Sequence, residues 1–146
     1  MPDILHRVGI ASKADKVFKA IATVDGLSHW WITGTKGDPK PGGILKFTPD
    51  GGGFHMKVVA SKPGRLVQWR CVRGPDEWLD TEVTFRLEEK EGQTFVHFSH
   101  ANWKEPCEFM HHCSTKWATF LMSLRDWVER DEAHPYPYDV KIHVGD

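Results

Sequence analysis

The chain has 146 residues, with 19 Lys and Arg against 20 Asp and Glu and a formal net charge of -1 when its histidines are neutral. Acidic and basic residues are interleaved, which argues against a nucleic-acid or anionic-membrane surface. No apolar run approaches the ~18 residues that span a bilayer, and the length suits one domain with a real core.

In chain order, Asp3 to Ala11 alternates as a half-buried strand, with Ile4, Val8 and Ile10 on one face and His6 sharing it. Ser12 is expected to cap a helix, with Asp15 completing a capping box and Val17, Phe18 and Ile21 forming its stripe. A second short helix is expected from Gly26 to Trp31, capped by Asp25. The stretch 34–43, rich in Gly, Lys and Pro, reads as a loop. Strands follow at Ile44–Thr48 and Phe54–Ser61, joined by a hairpin turn through Pro49-Asp50-Gly51-Gly52-Gly53. The glycine run has no following helix and no Lys-Ser/Thr pair, so it is a turn and not a phosphate loop. Lys62-Pro63-Gly64 leads into a strand at Leu66–Val72, and Arg73-Gly74-Pro75-Asp76 breaks it. A strand at Leu79–Glu88 puts Leu79, Val83, Phe85 and Leu87 on one face. Lys90-Glu91-Gly92 returns it into Thr94–His100, where Val96, Phe98 and His100 share the inward register. Consecutive strands with short turns make an antiparallel sheet.

Glu108 to Arg130 is an amphipathic helix of about six turns, ~35 Å long. Phe109, Cys113, Trp117, Phe120, Leu121, Leu124 and Val128 form its stripe, with His111, Arg125, Glu129 and Arg130 on the other side. Pro106 suits its first turn, and His134-Pro135 and Tyr136-Pro137 cannot continue it. The domain is expected over residues 1–133. In the tail, 134–146, Val140, Ile142 and Val144 alternate. Disorder, packing on the sheet and packing on a second subunit all remain open for it.

This order of elements resembles the helix-grip fold of the START-like, Bet v 1-like (SRPBCC) superfamily, and more narrowly the family named for the activator of heat-shock protein 90 ATPase. The resemblance rests on Trp30-Trp31, on Pro41-Gly42-Gly43, and on Pro63, Leu66 and Trp69. It continues through Val83-Thr84-Phe85 with Leu87, then Gly92, Thr94, Val96, Phe98 and His100. Trp117, Phe120-Leu121, Ser123-Leu124 and Trp127 complete it. It implies an α+β fold: a curved antiparallel sheet wrapped around the long C-terminal helix, two short helices after the first strand, and a cavity between sheet and helix. In many members of the superfamily that cavity takes a hydrophobic or amphipathic small molecule.

The seven tryptophans and eight phenylalanines mean either a densely aromatic core or an aromatic-lined pocket. An empty apolar void of ~300 Å³ would cost roughly 7 kcal/mol, as much as a whole domain's stability. A large dry hole is therefore excluded: tryptophans fill it, or water or a ligand occupies it. The candidate lining residues are Trp31, Phe47, Met56, Trp69, Cys71, Trp78, Phe85, Phe98, His100, Trp103, Phe109, Cys113, Trp117, Phe120 and Leu121. Trp78 and Trp103 stand at element ends, where a mouth would be. His100 is either a ligand-orienting or proton-carrying group, or a structural histidine bonded to its surroundings.

His111-His112 with Cys107 and Cys113 does not make a metal site, because adjacent helical histidines point about 100° apart and no pair is spaced i, i+4. No cofactor is expected. A Cys-His pair of Cys71 or Cys113 with His100 is unsupported, since buried thiols are inert. The odd cysteine count and the absence of a basic-then-apolar N-terminal segment give a soluble, cytoplasmic expectation. The leading functional reading is a carrier or sensor for a small hydrophobic ligand, monomeric or homodimeric, with the tail's alternation and an outward Phe95 permitting a dimer. The alternatives are a co-chaperone, as the family name implies, and an enzyme with His100 as acid or base.

Overall fold

A computed structural model describes residues 1–47 and 53–146. The apolar stripe of the last helix is covered by a seven-stranded antiparallel sheet. Its elements, in chain order, are β1 (Ile4–Ile10), α1 (Ala14–Ala22), α2 (Val24–Trp30), β2 (Lys36–Gly37), β3 (Ile44–Phe47), β4 (Phe54–Lys62), β5 (Leu66–Arg73), β6 (Glu82–Lys90), β7 (Gln93–Ala101) and α3 (Glu108–Arg130). The strand order is β1-β7-β6-β5-β4-β3-β2, so β1 crosses to pair with β7 and every other neighbour is consecutive. Period-2 alternation puts Leu45, Met56, Trp69, Val83, Phe85 and Phe98 on the face toward α3. Register follows: Met56 faces Leu45 and Cys71, Trp69 faces Val83, and Phe85 faces Phe98. Irregularities in β4 between His55 and Met56 and between Val58 and Ala60 add the local twist that bends the sheet around the helix.

The helix starts differ from their sequence expectations. Ser12 does not cap α1: its N-cap is Lys13, which makes no side-chain cap bond. The first turn is served instead from across the fold, where Glu89 on β6 accepts the Ala14 N–H at 2.5 Å, a carboxylate placed at the positive end of the helix dipole. At α2 the cap is Thr23, not Asp25, and its Oγ1 accepts from Gly26 N at 3.0 Å. Gly26 is required there because a Cβ would sit 2.5 Å from the Ala20 carbonyl oxygen. Pro106 lies outside α3, whose N-cap is the extended Cys107. That helix stops before any proline is reached: Asp131 turns left-handed at φ 55° and returns its N–H to the Trp127 carbonyl at 3.0 Å.

Three further boundaries shift. The stretch 34–43 is not wholly loop, since Lys36 and Gly37 pair with β3 as a two-residue strand. The strand expected from Leu79 begins at Glu82, because a 3-10 turn at Asp76–Trp78 and a left-handed Asp80 at φ 66° interrupt the extended run. Thr48 and the hairpin turn expected through Pro49 to Gly53 lie outside the described residues except for Gly53.

Of the courses left open for the tail, packing on the sheet is replaced by packing on helical elements of its own chain. The tail packs on the connection after α2 and on α3: Ile32 and Tyr136 form a parallel bridge, and Tyr136 N donates to the Trp31 carbonyl at 2.7 Å. Ser123 anchors the turn into it, donating to the Trp30 carbonyl at 2.8 Å and accepting from His134 N at 2.9 Å. Val140 and Val144 do not form a buried strand face; both are exposed. Phe95 is covered at home by the Arg7 guanidinium, 4.0 Å above its ring.

Ser123 is buried and satisfies two backbone groups from different elements. Ser123→Ala is expected to destabilise the protein by about 1–3 kcal/mol, the cost of leaving buried polar groups unpaired. Urea unfolding reads the loss, and faster amide exchange at His134 would accompany it.

Candidate functional site

Trp31 decides where space remains inside this fold. Left at the end of α2 by the Thr23 cap, it stacks on Trp69 of β5 with centroids 5.5 Å apart and planes 8° from parallel. It also meets Phe47 of β3 at 4.5 Å and Trp117 of α3 at 4.9 Å. This wedge joins sheet to helix and makes the middle of the sandwich solid. Phe47, Met56, Trp69, Cys71, Phe85, Phe98 and Leu121 are buried there as core.

Beyond the wedge, toward the N-terminal half of α3, a pocket of about 230 Å³ opens to solvent. Trp31, Ile32, Phe54 and Trp78 form one side of it. Phe109, Cys113, Trp117 and Phe120 of α3 form the floor, and His112 and Lys116 of the same helix with Tyr136, Asp139 and Asp146 of the tail form the rim. Six of the fifteen candidate residues therefore meet: Trp31, Trp78, Phe109, Cys113, Trp117 and Phe120. The other nine, including His100 and Trp103, stand away from it. Sequence reasoning missed Phe54, although it shares the inward parity of Met56 and Val58. It also missed His112 and Lys116 at the edge of the helical stripe, and every tail residue.

His100 is sealed, with no exposed surface. Trp117 Nε1–H donates to its Nδ1 at 3.1 Å, so Nδ1 carries no proton. Its Nε2 lies 2.8 Å from Thr81 Oγ1, which in turn donates to the Trp78 carbonyl at 2.6 Å. The hydroxyl's proton is thus committed, and Nε2–H must be the donor of that bond. The chain of bonds runs one way and holds the imidazole neutral. Burial pushes its pKa down to about 3. Trp103 Nε1 donates to the His100 carbonyl at 3.1 Å, completing the frame.

The thiols are equally quiet. Burial pushes Cys71 up to about 11, with the Arg73 backbone opposing it. It pushes Cys113 up to about 12, with the Trp78 indole N–H opposing it. That approach does not amount to a well-formed bond, for Trp78 Nε1 is buried without a hydrogen-bond partner. At the rim, Lys116 bonds to Asp139 and, at 2.9 Å, to Asp146. Burial works against its charge, but the two carboxylates outweigh burial and raise its pKa. Beside it, His112, His143 and Asp146 bring ligand atoms within 4.8 Å of one another. Among the described residues no helix is long and apolar enough to cross a membrane.

A curved antiparallel sheet gripping a long C-terminal helix, with two short helices after the first strand, is the helix-grip architecture of START-like proteins. The chain belongs to the family of Activator of Hsp90 ATPase homolog 1-like proteins, whose pattern matches residues 11–129. Among solved structures it is similar to the Aha1 dimer from Colwellia psychrerythraea, with 44% identity, 89% of this chain and 98% of that one covered, and a TM-score of 0.83. CalU16 from Micromonospora echinospora, at 22% identity, covers 90% of this chain and 76% of its own with a TM-score of 0.75. A Mesorhizobium loti protein, at 18% identity, covers 90% and 99% with a TM-score of 0.77. These last two share the fold alone. No curated protein matches the chain.

The sealed histidine makes a pH prediction. Its folded pKa lies below the unfolded value of ~6.5, so the unfolded chain takes up the proton first. His100 therefore contributes stability above about pH 6.5 that is lost as pH falls toward 3, by up to ~1.4 kcal/mol per pH unit. In ¹⁵N NMR the ring should keep its Nε2–H tautomer unchanged from about pH 8 to 5; a titration midpoint near the unfolded value would contradict the network.

Proposed function

We propose that the protein binds a small hydrophobic or aromatic molecule in the pocket between the Trp31 wedge, the first half of α3 and the tail, as a carrier or sensor. The observation that supports this best is an aromatic-walled opening of about 230 Å³ against the buried aromatic core. Flat rings on Trp31, Trp78, Trp117 and Phe120 offer stacking faces, and transfer of apolar surface from water onto them is the driving force, at ~25 cal/mol per Å². The volume lies below the ~300 Å³ at which drug-sized pockets begin, which suits a molecule of one or two rings. His112 and Lys116 at the rim would orient a polar substituent. Phe47, Met56, Trp69, Cys71, Phe85, Phe98, His100, Trp103 and Leu121 act as the frame in this reading. An enzyme using His100 as acid or base has less support, because the ring is neutral, fully bonded and away from the pocket. Three free cysteines suit a reducing compartment, the cytoplasm.

Tryptophan quenching by 1-anilinonaphthalene-8-sulfonate and a panel of one- and two-ring aromatics should be saturable, with Phe109→Ala weakening it about fivefold, or ~1 kcal/mol. No saturable quenching across the panel, together with no adduct in native mass spectrometry, would sink the proposal.

The second reading is a co-chaperone acting as a homodimer, favoured by the name of the family and by the 44% identical dimer. A coupled ATPase assay with an Hsp90-type chaperone tests the first half: stimulation at micromolar protein supports it and a flat rate removes it. Light scattering on the eluting protein tests the second.

A further inference from the structure

We propose that His112, His143 and Asp146 bind one divalent transition-metal ion of the zinc type at the rim of the pocket. The inference stands whether or not the pocket takes an organic ligand. His112 comes from the second turn of α3, and the other two come from the tail that folds back over that turn. Tertiary structure alone joins them, and their ligand atoms lie within 4.8 Å of one another.

Hydrogen bonds already orient two of the three side chains for the role. His143 Nδ1 lies 2.7 Å from the Val144 carbonyl. A carbonyl can only accept, so Nδ1 carries the proton and Nε2 presents a free lone pair. This is the arrangement by which a backbone carbonyl fixes the tautomer of a metal-bound histidine. His112 lies nearly parallel to Phe109, 6.1 Å away with planes 12° apart, and 5.4 Å from the His143 ring. Asp146 has Oδ2 held by Lys116 Nζ and by Ile142 N, each at 2.9 Å. That leaves Oδ1 to turn toward the imidazoles.

The charge pattern selects the class of metal. Asp139 and Asp146 are matched by Lys116 and Lys141, so no surplus of carboxylate exists to hold calcium or magnesium, which need several oxygen ligands. Two imidazoles and one carboxylate suit zinc, cobalt or nickel. Bonds of ~2.0–2.2 Å require the three groups to close slightly from their present spacing, and the exposed His143 is free to swing inward. Three protein ligands leave a fourth position open. His112 and Asp146 both line the pocket, so that position faces its mouth.

Tag-free protein titrated with Co²⁺ gives the test, read by its visible absorption and by competition with Zn²⁺. One ion per chain is expected at micromolar affinity, without thiolate charge-transfer bands. His143→Ala and Asp146→Asn should each weaken binding about tenfold or more, while His111→Ala, on the outer side of α3, should leave it unchanged. Zn²⁺ should raise the Tm of the parent protein and not of His143→Ala. Asp146→Asn also disturbs the Lys116 contact, so His143→Ala, an exposed change, is decisive. Absence of saturable binding at micromolar ion, or equal affinity in His143→Ala, overturns the proposal.

Discussion

The indole of Trp31 is the contact on which the rest of the structure depends. It touches three neighbouring strands through Phe47, Phe54 and Trp69, and the long helix through Trp117. Its own carbonyl holds the tail through Tyr136. Aromatic pairs add ~0.5–1.5 kcal/mol each beyond the area they bury. One side chain thereby couples sheet, helix and C-terminus. It also stands between the buried core around Phe47, Trp69 and Phe85 and the pocket that it helps to line.

A second, polar constraint locks the same helix. The run from Trp117 through His100 and Thr81 to the Trp78 carbonyl links α3 to β7 and to the turn before β6. Every donor in it has one acceptor. In low dielectric such a fully satisfied chain is rigid, whereas losing one member strands the others. It fixes the rotation of Trp117 and, through Trp78, one wall of the pocket. A histidine that sequence inspection singles out for chemistry therefore serves as a strut.

How much was readable beforehand depended on the range of the interaction. The stripe on α3 and the alternation of β5, β6 and β7 were plain, because burial on one face writes a period directly into the residues. Caps were less plain: Ser12 looked competent, but Glu89, 75 residues away, took the position at Ala14. Leu79 looked like the start of a strand because its parity matched Val83, but the 3-10 turn before it and the left-handed Asp80 after it break that run. At the site, Trp31, Trp78, Cys113, Trp117 and Phe120 were identifiable as large or buried inward groups. His112, Asp139 and Asp146 were not, because their roles exist only once the tail has folded over α3, and a short stretch of mixed polarity carries no period that announces such a fold.

One edge of the sheet is β2, a strand of only two residues, both exposed, in which Gly37 stands at φ 116° and a Cβ added to it would lie 2.0 Å from the Ile44 carbonyl oxygen. An open edge of a sheet is a template for further strands. This one offers too few backbone groups to recruit a partner, and the bend at Gly37 turns the chain away immediately. Copies of the protein cannot join there into a continuous sheet. An unending sheet needs two open edges, so this truncation guards against the runaway stacking to which β-rich chains are prone even though the seven-residue β1 forms the opposite edge.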